Sequence, residues 1–125
     1  MNLRLVLSRE VSCLKNTSSQ SFIEPVGERW SDLMPGVLLL PLAEPVPGGS
    51  IHRARLVKGT VIPAHTHPAN EYVQVLSGTI ETGGRLCTAG TFWITPSDVR
   101  QGPHVAIDDV ELFTIRLGPI GVFEG

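Results

Sequence analysis

Two histidines two residues apart, His65 and His67, with Glu71 four residues later, are the side chains best suited to chemistry in this chain. Side chains alternate across an extended strand, so positions i and i+2 share one face there. A carboxylate arriving just after a short turn can close on the same point. Neutral imidazole nitrogens and a carboxylate oxygen together suit a divalent transition metal.

The spacing around these residues carries more information than the residues alone. The stretch GTVIPAHTHPANEYVQVLSG places Gly59, five residues, His65-Thr66-His67, three residues, Glu71, six residues and Gly78 in order. This resembles the first signature of the cupin superfamily, which has five fixed points and is more specific than a lone HxH. A second signature is matched in part. Gly90 and Pro96 fall as expected, but Ser97-Asp98 stand where a glycine belongs, and His104 arrives three residues late. Together with Trp30 and Pro35-Gly36-Val37, the chain resembles a subgroup holding an anti-sigma factor's cupin-type zinc domain and small dioxygenases that cleave diketones or hydroxyacetophenones. The resemblance covers roughly residues 30 to 118. It implies an all-β double-stranded β-helix, the cupin or jelly-roll barrel. It also implies one divalent transition metal per chain (Fe, Zn, Ni or Mn) held by His65, His67, Glu71 and His104.

The rest of the chain has the composition such a scaffold needs. It has 125 residues, 42% of them hydrophobic and 18% charged, which fits one folded domain. Thirteen glycines and 10 prolines suit short strands joined by tight turns. Residues 1–21 end in a polar tract and form an N-terminal arm, whose alternating Leu3–Leu7 stretch is a candidate strand swapped into a second subunit. Residues 22–125 are expected to form the barrel. Val37 to Leu42 reads as a buried strand after the Met34-Pro35-Gly36 turn. Ile51 to Lys58 reads as the next, with His52, Ala54 and Leu56 on one face and Arg53 and Arg55 on the other. The two arginines form either a solvated face or a carboxylate-recognising pair. His52 reads as a surface or capping histidine rather than a further ligand. Strands are expected at Thr79–Thr82, Arg85–Thr88, Thr91–Thr95 and Val110–Leu117, with a hairpin turn at Gly83-Gly84. Val73, Val75, Phe92 and Ile94 are expected to line the interior, and Tyr72 the opposite face from Glu71.

Several function classes are disfavoured. A net charge of −2 offers no attraction for nucleic acid or an anionic membrane. No stretch approaches the roughly 20 apolar residues of a membrane span, and the start lacks a signal-length apolar core, so a cytoplasmic protein is expected. Cys13 and Cys87 lack metal-type spacing and read as free thiols. A small-molecule ligand and a homodimer, formed through Tyr72, Leu76 and Leu3–Leu7, are the expected partners. The loop before His104 exceeds the length a connection requires, which makes Arg100 and Gln101 candidates to cover the site and orient a substrate. Two functions follow. One is a metal-dependent oxygenase-type enzyme acting on a small oxygenated molecule, with isomerase or lyase chemistry ranked below it. The other is a non-catalytic ligand- or metal-sensing module. The few polar residues before Phe22 make a poor partner-binding helix and favour the enzyme.

Overall fold

Short runs of β-branched, aromatic and leucine residues, broken by glycine and proline, become strands throughout. The computed structural model of the chain describes residues 19–123. The strands are β1 (Ser31–Met34), β2 (Val37–Ala43), β3 (Ser50–Leu56), β4 (Val61–Ile62), β5 (His65–Thr66) and β6 (Glu71–Ser77). They continue as β7 (Ile80–Thr82), β8 (Arg85–Cys87), β9 (Phe92–Thr95), β10 (His104–Ala106), β11 (Val110–Arg116) and β12 (Val122–Phe123). All pairings are antiparallel. One sheet runs β1-β2-β3-β11-β6-β9, a second β4-β10-β7-β8, and β12 pairs with β5. Such crossed antiparallel order in an all-β chain is the double-stranded β-helix expected from the sequence.

Both sheets contribute to one core. Val37, Leu56, Val75 and Leu112 from the first sheet pack with Ile80, Cys87 and Ala106 from the second. Full burial of a side chain such as Leu56 or Ile80 contributes roughly 1.5–3 kcal/mol. The inner face of the six-stranded sheet changes character along its strands. Ala54, Leu112 and Val75 pair in one row, and His52, Thr114, Val73 and Trp93 in the next. Ser50, Arg116, Glu71 and Thr95 make the third. The sheet is thus apolar at one end and chemically equipped at the other.

Two expectations are corrected by this register, and a third is narrowed. Phe92 and Ile94 do not line the interior: they are 53% and 54% exposed, because Val73 and Glu71 face Trp93 and Thr95 across the β6–β9 pair. A run of five residues with apolar character on both faces does not reveal which face turns inward. His52 is not a surface histidine. It is buried, and the alternation of β3 that buries Ala54 and Leu56 carries it inward with them. Arg53 and Arg55 lie on the outer, solvated face, Arg53 half-buried and Arg55 exposed, and their pairing with Glu111 disfavours the alternative of a carboxylate-bearing ligand. Both bond Glu111, Arg53 also reaches Glu28, and both guanidinium groups lie over the Trp30 ring, 5.3 and 4.0 Å from its centroid.

Other boundaries differ little from expectation. The strand expected to end at Lys58 ends at Leu56. β12 is an addition, since a two-residue strand carries no periodic signal. Cys87 is a buried free thiol. Cys13 and the Leu3–Leu7 strand lie outside the described residues. No helix among the described residues is long and apolar enough to cross a membrane.

Candidate metal centre

Turn chemistry sets the first candidate ligands in place. Pro63 and Ala64 break the chain between β4 and β5, and Pro68 to Asn70 carry it across to β6, where Glu71 is the first residue. The Asn70 side chain accepts from the Ser97 amide at 2.9 Å, and the Asp98 amide donates to His67 O at 2.8 Å. These bonds tie the loop after β9 to the turn between His67 and Glu71. Gly59 and Gly78, which bracket the stretch, take φ of +88° and +82°. These are left-handed values that glycine adopts without the Cβ penalty.

His65, His67 and Glu71 are all buried, and one ligand atom from each lies within 4.8 Å of the others. His67 Nε2 and Glu71 Oε2 are 3.2 Å apart. Donors bound to one ion at about 2.0–2.2 Å stand roughly 3–3.5 Å from each other, so a modest contraction closes the set. His104, buried on β10, brings its ring centroid to 5.3 Å from that of His65. All four side chains line one cavity of about 90 Å³.

The orientation of the rings fits a metal as well as their position does. Each of the three histidines uses Nδ1 on a neighbouring oxygen: His65 on Pro63 O at 2.8 Å, His67 on Ile120 O, and His104 on Thr82 Oγ1 at 2.7 Å. The carbonyl partners of His65 and His67 only accept, so their Nδ1 atoms carry the proton and leave Nε2 to face the site, while the Thr82 hydroxyl can accept from His104 Nδ1 in the same way. Partners of this kind fix tautomer and ring angle in metal sites. Phe123 stacks on His65 at 4.4 Å and Trp93 on His104 at 5.9 Å, closing the apolar side of the site.

Gln101, one of the two loop candidates, is turned inward and buried. Its Nε2 donates to Glu71 Oε1 at 2.9 Å, its backbone exchanges both hydrogen bonds with His65, and its Oε1 has no partner among the described residues. It therefore braces two of the proposed ligands. Arg100 is exposed. The late arrival of His104 is accommodated by this pinned loop, and Gly102, at φ +90°, passes within 3.3 Å of Ala64 Cα if given a Cβ.

Burial governs the ionisation of the site. It pulls the imidazoles of His104 and His52 down to about 4, assisted by His65 for the first and by Arg116 for the second. Burial also lowers His65, against the Pro63 hydrogen bond. For Glu71, burial pushes upward but is outweighed by His67, Gln101 and His65, and the carboxyl stays below its ordinary range. Neutral imidazoles beside a carboxylate are the protonation states that a metal requires.

The sign of the resulting pH dependence is definite. Folded His52 and His104 bind protons less readily than in the unfolded chain, so their contribution is fully present above about pH 6.5 and is lost toward pH 4. Between pH 7 and 4.5, each is expected to remove about 2 kcal/mol from the stability of the metal-stripped protein. Urea unfolding in the presence of a chelator should show the midpoint falling by more than about 1 M. A midpoint that does not move would mean these histidines are not buried neutral.

The sequence pattern of the ChrR Cupin-like domain matches residues 18–121, most of the chain. The chain belongs to this cupin family. Among solved structures, KdgF from Halomonas sp. resembles this cupin with a TM-score of 0.69 at 21% identity, over 82% of this chain and 97% of that one. An acetylacetone dioxygenase from Acinetobacter johnsonii gives 0.71 at 13% identity, over 85% and 79% of the two chains. The complex of SigE with the anti-sigma ChrR from Rhodobacter sphaeroides gives 0.62 at 22% identity, over 70% of this chain and 48% of that one. The cupin spans about half the length of that last chain. At such identities the likeness concerns the fold. A comparison with curated proteins finds no significant match.

Four contributors to the site of this cupin are not found by reading the sequence for ligands: His52, Trp93, Arg116 and Phe123. Arg116 was legible in principle, since Leu112, Thr114 and Arg116 alternate along β11 onto its inner face. Phe123 carried no signal, because it reaches His65 only through the closing pair of β12 with β5.

Proposed function

We propose that this cupin holds one divalent transition metal through His65, His67, Glu71 and His104 and uses it on a small oxygenated organic molecule in the cavity, as an oxygenase-type enzyme. The observation that carries this reading is the arrangement of three histidines whose Nδ1 atoms are all engaged, leaving three Nε2 atoms and a carboxylate around one apolar-walled space. A metal there supplies Lewis acidity, and redox chemistry if it is iron. The protein's own part is to hold the ligands, to keep Glu71 ionised, and to exclude water with Val73, Trp93, Leu112 and Phe123. Gln101 is the positioning residue for Glu71 in this proposal. The likeness to an acetylacetone dioxygenase supports a diketone-type molecule as the first candidate to try.

Oxygen uptake by iron-loaded protein over a panel of small diketones and hydroxyketones tests the enzyme. Metal-dependent turnover is expected, and Gln101→Ala should lower metal affinity by about 10–100-fold, the range typical of partners that orient a ligand. The family match to the ChrR cupin-like domain favours a second reading, a ligand- or metal-sensing module. Tight metal binding with no turnover of any compound in the panel would make that reading the better one. Pairing of two copies through the outer face of β6, where Tyr72 and Leu76 lie beside exposed Phe92 and Ile94, belongs to the same proposal. A monomer in sedimentation at micromolar concentration would exclude it.

A further inference from the structure

Arg116 is the one cation among the residues that line the metal-site cavity. It stands at the end of the inner row of β11, directly across from Glu71 on β6 and Ser50 on β3. The side chain is half-buried, and its Nε donates to Gly118 O at 2.8 Å. Among the described residues it pairs with no carboxylate. Glu71 does not take it up, because Oε1 of Glu71 accepts from Gln101 and Oε2 faces His67 Nε2. A guanidinium half-withdrawn from water without a carboxylate partner keeps donors available for an anion.

The surroundings are built to receive such a group. One row deeper, His52 sits across from Thr114, and its Nδ1 is fixed on Ser50 Oγ at 2.7 Å. Both residues are buried and line the same cavity. A hydroxyl, an imidazole and a guanidinium therefore converge beside the candidate metal ligands, in a space whose other walls are apolar. Glu71 offsets only part of the positive charge that a divalent ion and Arg116 together would place here. The excess favours an anion.

We propose that Arg116, with His52 and Thr114 beside it, is a carboxylate subsite, and that the ligand is a small oxygenated organic acid whose other end lies at the His65–His67–Glu71 cluster. The inference deepens the proposed function and depends on it only for the position of the ligand's other end. Arginine suits the role because its fork of donors matches the two oxygens of a carboxylate.

A matched pair of probes separates the two ideas. Pentane-2,4-dione and 2,4-dioxopentanoate share the diketone and differ by a carboxylate, so their affinity ratio reports on the anion subsite, while metal content and metal dependence report on the metal centre. Titration calorimetry of the metal-loaded protein is expected to show the dioxopentanoate binding at least about 10-fold more tightly, the factor a charge-assisted hydrogen bond supplies. Arg116→Gln should bring the ratio near one, with metal content and pentane-2,4-dione affinity unchanged, and Arg116→Lys should restore part of it. Equal affinities in the wild-type protein would overturn the subsite even if the dione bound in a metal-dependent way. Loss of metal in Arg116→Gln that Arg116→Lys does not repair would assign the arginine to bracing Glu71 and overturn it too. If Arg116→Gln does not fold, the ratio measured on the metal-free wild-type protein decides, since there the carboxylate has no metal to bind. A wild-type protein that takes up no metal would sink the metal centre, and the same ratio measured on the metal-free protein would still decide the subsite.

Discussion

Replacing His67 with alanine is expected to abolish stoichiometric metal binding, lowering affinity by more than about 100-fold. Partners that merely orient a ligand cost about 10–100-fold when lost, and a ligand itself contributes more. His67 is also central to the geometry: its Nε2 lies 3.2 Å from Glu71 Oε2, and its Nδ1 is anchored on Ile120 O. Its removal both deletes a donor and leaves Glu71 with one fewer partner holding it ionised. Metal per chain by elemental analysis, with affinity from competition against a chelator, gives the result directly. Full stoichiometry and unchanged affinity in His67→Ala would show that the assignment is wrong. His104→Ala is the companion variant, because it reports whether the late histidine contributes a ligand bond or only packs.

The largest effect on stability is expected at Gly78, where the chain leaves β6 in one sheet for β7 in the other. Its φ is +82°, and a Cβ there would sit 2.1 Å from the Asp109 carbonyl oxygen. Neither problem can be relieved by moving a flexible side chain, since the obstruction is backbone. A strained dihedral and a forced backbone shift each cost about 1–3 kcal/mol, so Gly78→Ala should lose about 3–5 kcal/mol. That is a large share of the 5–15 kcal/mol typical of a domain. A fall in Tm of more than about 10 °C is expected by calorimetry. Gly59→Ala provides the contrast: its φ is +88°, but a Cβ there would meet nothing within 4 Å. It should cost distinctly less, and equal losses at the two glycines would mean that the close approach at Gly78 is not what matters.

Both predictions rest on features legible in the order of the amino acids. His65, His67, Glu71, Gly59 and Gly78 are local in sequence, and local geometry places them: alternation on a strand, a short turn, and a glycine where the chain must reverse. The same holds for the β3 alternation, which separates His52, Ala54 and Leu56 from Arg53 and Arg55 correctly. What alternation does not reveal is which partner each face meets. It leaves His52 looking like a surface residue, although its face is the inner one.

Chemistry decided by long-range pairing is invisible in the sequence. Arg53 and Arg55 look available until β11 brings Glu111 beside them from 58 and 56 residues away. Phe92 and Ile94 look interior until the β6–β9 register gives that face to Trp93 and Thr95. The sequence alone determined an all-β chain with two histidines and a glutamate placed to share one spot, because period-two patterning and turn residues act within a few positions, and the spacing of those residues carried the resemblance to cupins. Only the tertiary structure decided that His104 lines the same cavity, that Gln101 bonds Glu71, that Phe123 stacks on His65, and that Arg116 lines the cavity without a carboxylate partner among the described residues. Those contacts depend on which strands become neighbours, and strand pairing across dozens of residues is chosen by the packing of the whole core rather than by any short stretch of it.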